Sequence, residues 1–281
     1  MIQDLGTSRL DSTYVPDAVP DDDSAVVFYR RGEILLKRHG KEISFPTYRD
    51  VPQTGGKFTY LFSLDDRAFF FCDTEEEIGI DGFDWEMPQV FRDSRPREAA
   101  FALVTARHIC AWYNSERFCG KCGAVMRHSA AERMMECPEC GSKAYPVIAP
   151  AVIVAVTDGD RILLTRYASR TGAPAALVAG FCEVGETVEQ TVAREVMEET
   201  GLKVRDIRYY KSQPWGISGG LLMGFWCRVD GSDEVHLNDG ELGEAVWKTR
   251  AEMKDTYPGN SISLTSEMAQ VFADGFDPYG G

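Results

Sequence analysis

Glu195, Glu198 and Glu199 are spaced i, i+3 and i+4 within a stretch, Thr187 to Glu199, whose pattern predicts a helix. Three carboxylates then share one helical face. Anions that close repel one another unless a cation lies among them. Oxygen donors with few flanking bases suit hard divalent cations such as Mg²⁺ or Mn²⁺. The plainer alternative is a solvated acidic face. Ahead of the helix, the run Gly180-Phe181-Cys182-Glu183-Val184-Gly185-Glu186 has two glycines that permit a tight loop. The carbonyl of Ala179 stands where it can also face a metal, and Arg194 can reach back to Glu186 and brace the loop. Gly201 is a helix stop.

A second chemistry lies upstream. Cys119-Gly120-Lys121-Cys122 and Cys137-Pro138-Glu139-Cys140 are two CxxC pairs fourteen residues apart. Two intervening residues let both sulfurs of a turn reach one ion at about 2.3 Å, and the second pair completes a tetrahedron. Four sulfurs leave no open position for water, so the spacing predicts a structural zinc site. Gly123 and Gly141 follow each pair, where the chain often needs positive φ. Cys72, Cys110, Cys182 and Cys227 are expected to be buried apolar residues.

The run from Gly180 to Leu202 fits GX5EX7REUXEEXGU (U aliphatic) at every fixed position, and so resembles the Nudix hydrolases. At ordinary residue frequencies such a match arises by chance on the order of once in 10⁹ windows. The resemblance implies an α/β/α sandwich and metal-assisted hydrolysis of a nucleoside diphosphate linked to another group. Metals held by Glu195, Glu198 and Glu199 would neutralise the diphosphate and lower the pKa of a water that attacks phosphorus in line. The general base is left open among Glu198, Glu199 and Glu241, the last in the loop Asn238-Asp239-Gly240-Glu241.

A four-cysteine ribbon directly before such a domain is similar to the arrangement in NADH pyrophosphatases. Tyr145-Pro146-Val147-Ile148-Ala149-Pro150 looks like that family's YPxIAP junction, and Ser212-Gln213-Pro214-Trp215 like the start of its SQPWPFPxS motif. The resemblance covers roughly residues 97–275. It implies metal ligands at Ala179, Glu195, Glu199 and Glu241. It implies a dinucleotide site lined by Gln213, Pro214, Trp215, Gly216, Ile217, Ser218, Gly219 and Gly220. Phe181 and Trp215 would contact the nicotinamide end, and Glu132, Tyr145 and Ser263 match further substrate positions. After Trp215 the chain departs from the family: it reads Gly216-Ile217-Ser218-Gly219-Gly220-Leu221-Leu222-Met223, without the later prolines and phenylalanine. Three glycines are expected to loosen this segment, which leaves NADH, NAD⁺ and ADP-ribose as competing substrates.

These residues must be positioned by the rest of the 281-residue chain, a length that suits about two domains. The fold class expected is α+β. An acidic tail (1–24) leads to a small antiparallel β-rich domain (25–95), with strands at Ala25–Tyr29, Glu33–Leu36, Phe58–Phe62 and Arg67–Phe71. A connecting helix (96–117), the ribbon (118–145) and the Nudix domain (146–281) follow. Within the last, Asp158-Gly159-Asp160 signals a hairpin, and strands are expected at 176–179, 205–211, 221–229 and 244–248. A final helix is expected near Ser261 to Ala273.

Composition narrows the partners. Thirty basic against 44 acidic residues give a net charge of −14, with a pI near 4.8, which argues against broad electrostatic binding of duplex nucleic acid or anionic membranes. The longest apolar run, Ala149 to Val156, is far below the roughly 20 residues a bilayer needs, and the start carries no secretory signal. A cytoplasmic protein is expected, in which paired cysteines bind metal. The reading is a Mg²⁺- or Mn²⁺-dependent NAD(H) diphosphatase yielding NMN(H) and AMP, a homodimer by resemblance. The family also implies removal of NAD caps from RNA; with this charge, contact with the RNA body would be weak. The alternatives are an ADP-ribose, ADP-sugar or dinucleoside polyphosphate hydrolase, or a zinc-ribbon regulator that senses NAD or ADP-ribose.

Overall fold

The computed structural model describes residues 1–169, 175–237, 240, 242–256 and 262–280. The chain divides into two units, one of Ile2–Val147 with Gly216–Gly219, the other of Met1 with Ile148–Trp215 and Gly220–Gly281.

The N-terminal unit runs through β1 (Leu10–Asp11), β2 (Ala25–Val27), β3 (Tyr29–Arg30), β4 (Glu33–His39), β5 (Glu42–Ser44), β6 (Lys57–Leu64), β7 (Arg67–Asp73) and β8 (Asp84–Glu86). Helix α1 (Arg97–Ser115) follows, then β9 (Arg127–His128), β10 (Met135–Glu136) and β11 (Lys143–Ala144). One sheet has the order β1-β6-β7-β2, a second joins β3, β4, β5 and β8, and the ribbon is β11-β10-β9. The expected antiparallel pattern fails at β2, which pairs with β7 in parallel through Ala25↔Phe69 and Val27↔Phe71. The long connection between β2 and β7 permits this, since parallel pairing needs a crossover and not a tight turn. The acidic stretch before residue 24 is not a free tail. Leu10 and Asp11 pair with Leu64 and Ser63, and the Tyr14 hydroxyl donates to the Ser129 carbonyl at 2.7 Å.

The C-terminal unit contains β12 (Ala149–Asp158), β13 (Arg161–Tyr167), β14 (Val178–Phe181), α2 (Val188–Thr200), β15 (Val204–Trp215), β16 (Gly220–Val229), β17 (Leu242–Thr249), α3 (Arg250–Thr256) and α4 (Leu264–Ala273). Its mixed sheet has the order β15-β16-β12-β13-β17, with β14 also on β12. Alternation along β12 builds the layers, since successive strand residues face opposite sides. Ile153 and Ala155 pack with Met1, Met253, Leu264, Met268 and Phe272 beneath α3 and α4. Val152, Val154 and Val156 pack with Val192, Val196 and Leu202 beneath α2. Helices thus cover both faces of a sheet, an α/β/α sandwich. Strand β14 begins two residues later than expected, because its register with β12 runs from Val154↔Val178 to Ala151↔Phe181. Helix α4 begins at Leu264, capped by Ser263. Of the four cysteines expected to be buried, Cys72, Cys110 and Cys227 are, and Cys182 is only half-buried. Burial pushes the Cys72 thiol up to about 12.

Candidate active site and zinc ribbon

Helix α2 begins at a capping box between Thr187 and Gln190 and ends at Gly201, which adopts φ 72°. Val192 and Val196 fix its rotation by burial, which turns Glu195 toward β14 and buries Glu199. The approach is close: a Cβ on Gly180 would overlap the Glu195 carboxyl group, so only glycine leaves room for it. Ala179 and Gly180 lie opposite Ile153 and Val152 on β12, and the Phe181 ring beside them is exposed.

Arg194 organises the acids around it. Its guanidinium binds Glu186 in a fork, Nε to Oε1 at 2.7 Å and Nη2 to Oε2 at 3.0 Å. The same group donates to Glu195 Oε1 at 2.8 Å, Glu198 Oε2 at 3.0 Å and the Phe181 carbonyl at 2.9 Å. Glu186 also accepts from the Thr191 hydroxyl at 2.9 Å and the Glu183 amide at 3.2 Å. Arg194 above all, with these donors, holds the Glu186 carboxyl down at about 2, and Arg194 itself is raised by the acids.

The three helix carboxylates are not equivalent. Glu199 is only 3% exposed, the Glu195 side chain 13% and the Glu198 side chain 55%. Among the described residues no three carboxylates gather their oxygens within 4.8 Å; the group that does is the four cysteines. The expected acidic trio is therefore divided: Glu195 and Glu199 turn inward, while Glu198 leans on Arg194. The donor set is all oxygen, with a nearly buried carboxylate and the backbone of β14 nearby, and it fits a hard divalent cation. Glu241 lies outside the described residues.

The end of β15 and the turn after it behave differently from their reading. Gln213 is fully buried. Its Nε2 donates to the Ile262 carbonyl at 2.9 Å and its Oε1 accepts from the Leu264 amide at 2.7 Å. Both ends of the amide thus anchor the start of α4, so the side chain offers a ligand little. Pro214 and Trp215 pair with Leu221 and Gly220 at the open end of the β15–β16 hairpin. The glycines that follow do not loosen the turn. A Cβ on Gly216 would overlap the Val104 carbonyl of α1, and one on Gly219 would come within 3.2 Å of the His108 ring. Arg107 donates to the Gly216 carbonyl at 2.9 Å. Ile217 and Ser218 are half-buried and exposed respectively. Ser263 is taken up by Ser266, whose amide it accepts at 3.3 Å. In the ribbon, the Tyr145 hydroxyl donates to Glu132 at 2.9 Å, both side chains exposed. Arg107 lies outside the Gly180–Leu202 motif and Thr191 at one of its variable positions, so sequence reasoning passes over them.

The ribbon brings its four cysteine sulfurs together. A tetrahedron with 2.3 Å zinc–sulfur bonds has edges of about 3.8 Å. The sulfurs of Cys119 and Cys140 are 3.6 Å apart and those of Cys122 and Cys137 3.4 Å. Gly123 and Gly141, at φ 78° and 70°, return their amides to the carbonyls of Cys119 and Cys137. Amides of Lys121 and Cys122 draw the Cys119 thiol down to about 6. The Ala124 amide also pulls on Cys122, but the neighbouring thiols outweigh it and push that group up to about 12. Four thiolates this close need a cation, and the residues fit zinc.

Fold and site together define a Nudix hydrolase domain: residues 147–267 match the NUDIX domain. Residues 114–145 match the NADH pyrophosphatase zinc ribbon domain. It is 45% identical over 153 residues to the NAD-capped RNA hydrolase NudC of Salmonella typhimurium, covering 54% of this chain and 59% of that one. The protein of the same name from Citrobacter koseri is 45% identical over 139 residues, 50% of this chain and 54% of the other. The matched part of the chain thus spans little more than half the length of these curated relatives. A NUDIX hydrolase structure from Nitrosomonas europaea aligns with 57% of this chain and 92% of its own at 22% identity, with a TM-score of 0.48. No helix among the described residues is long and apolar enough to cross a membrane.

Proposed function

We propose that the chain hydrolyses the diphosphate bond of NAD(H) to NMN(H) and AMP, and accepts NAD-capped RNA 5′ ends. The observation that carries this reading is the seat of Glu195 on Gly180, which sets an acidic helix against the end of a strand. The ribbon and the names of the NudC relatives support the choice of substrate. Glu195 and Glu199, with the Ala179 carbonyl and Glu241, are the proposed ligands of Mg²⁺ or Mn²⁺. Such a cation supplies neutralisation of the diphosphate and a more acidic water. Arg194 holds Glu195 and Glu198 in place through its fork on Glu186. Glu198, the most exposed of the three, is the helix carboxylate best able to exchange a proton with solvent and so to act as base. Phe181 offers an open ring face to the nicotinamide. The two CxxC pairs, placed to hold a metal, support a cytoplasmic location, and a homodimer is proposed on the family resemblance alone.

The test is chromatography of products from NADH, NAD⁺, ADP-ribose and NAD-capped RNA with Mn²⁺. NMN(H) and AMP are expected. Binding without turnover would instead make the chain a sensor, and turnover of ADP-ribose alone would make it an ADP-sugar hydrolase. Glu199→Gln is expected to lower turnover by about 10²–10³ with the circular dichroism unchanged.

A further inference from the structure

The N-terminal unit holds a cavity of about 610 Å³ that the proposed hydrolysis leaves without a role. This volume lies within the range of small-molecule sites. Its lining is unusually aromatic. Phe71 stacks on Tyr113 with ring centroids 6.4 Å apart, and Tyr113 stacks on His128 at 4.7 Å. Phe118 stands beside them with 63% of its surface exposed, although it is a large apolar ring. Tyr113 itself is buried, with Arg133 beside its hydroxyl.

The charges around this ring cluster are unevenly matched. Arg117 is bound to Asp73 and lies 3.6 Å from Glu75. Lys57 and Arg127 line the same cavity, are exposed, and have no ion-pair partner among the described residues. His128 is kept neutral near pH 7, since burial and the charge of Lys57 press it down to about 4. The cavity therefore combines an open aromatic face, a polar hydrogen-bonding group and two free cations, while the rest of the chain is strongly acidic.

We propose that this cavity is a single-nucleotide subsite: a base lies against Phe118 and His128, and its phosphate meets Lys57 and Arg127. Stacking on an aromatic side chain accepts any base, and two cations suit one phosphate rather than a long backbone. The assignment does not depend on α2 or on any catalytic residue. The two nucleotide sources are free mononucleotides and single-stranded RNA.

The chain has four histidines, so histidine-selective labelling of the full protein gives few imidazole signals, and His128→Gln identifies the relevant one. Titration with AMP, and separately with a 5′-phosphorylated RNA pentanucleotide, is expected to shift the His128 signal to saturation. Phe118→Ala should weaken that affinity about tenfold, within the range for loss of one stacked base, and should leave NADH turnover unchanged. Saturation by AMP assigns the site to free nucleotides; saturation by the oligonucleotide alone assigns it to RNA. No saturable shift with either probe would overturn the proposal, as would equal affinity in Phe118→Ala. A shift that follows protein concentration rather than ligand would also overturn it, by making the exposed ring a contact between copies.

Discussion

The ribbon and the α2 site both read as metal centres, yet they are built in opposite ways. In the ribbon, two short turns bring four sulfurs to within 4.8 Å of one another, and the turn backbone dictates the convergence. On α2 the carboxylates radiate from a rigid helix. A guanidinium sits among them, and one acid is nearly buried while another is half exposed. The thiols lose their protons on binding metal, and the ion then offsets their mutual repulsion. Ionised carboxylates repel, and Arg194 holds them in register by countercharge. The ribbon sulfurs are placed by their two turns around the zinc they fit, whereas the α2 carboxylates depend on a bracing arginine.

The largest effect should separate the two centres directly. Cys137→Ser, or a strong chelator, is expected to drop zinc well below one ion per chain and to abolish hydrogen-exchange protection in β9–β11. Zinc binding is worth about 10–16 kcal/mol in small zinc folds. Amides of α2 should keep their protection, and a collapse of both regions would contradict the comparison. Next in size is Gly180→Ala, whose Cβ must displace the Glu195 carboxyl group. Turnover is expected to fall about 10²-fold, as for a displacement on the order of 1 Å at a reacting site. Gly185→Ala, where a Cβ meets nothing within 4 Å, serves as the control: it strains a positive φ and costs roughly 1–2 kcal/mol, with much less effect on turnover.

The smallest effects lie in acid stability. His128 is depressed from 6.5 to about 4, so the unfolded chain binds a proton that the folded chain refuses. This contribution is complete above about pH 6.5 and is lost as pH falls toward 4, about 1–2 kcal/mol after allowance for partial exposure. Glu186 is depressed from 4.5 to about 2, so its contribution holds above about pH 4.5 and is lost as pH falls toward 2. Urea melts across this range should show two windows. His128→Gln should flatten the upper one and Glu186→Gln the lower, and a single shared window would show the ribbon and α2 to be electrostatically joined.

The two centres also differ in how legible they were. Cysteine spacing is read without knowing the fold, because both ligands of a pair belong to one turn. The acids of α2 could be placed on a helix from their spacing, but the spacing says nothing about which of them faces β14. Gln213 shows the limit of motif matching: its position was marked, while its side chain is engaged with the backbone at Ile262 and Leu264, far along the chain. The glycines after Trp215 show the same limit, since their closeness to α1 is invisible in local sequence.

By itself the sequence indicated the cysteine cluster and, to within a residue, the span of α2, because these depend on short-range turns and helical periodicity. Tertiary structure alone decided three further matters: that Glu199 is buried and Glu198 exposed, that β2 runs parallel to β7, and that Gly180 must be glycine. Each follows from how segments distant in the chain exclude one another's atoms, and no local pattern encodes that exclusion.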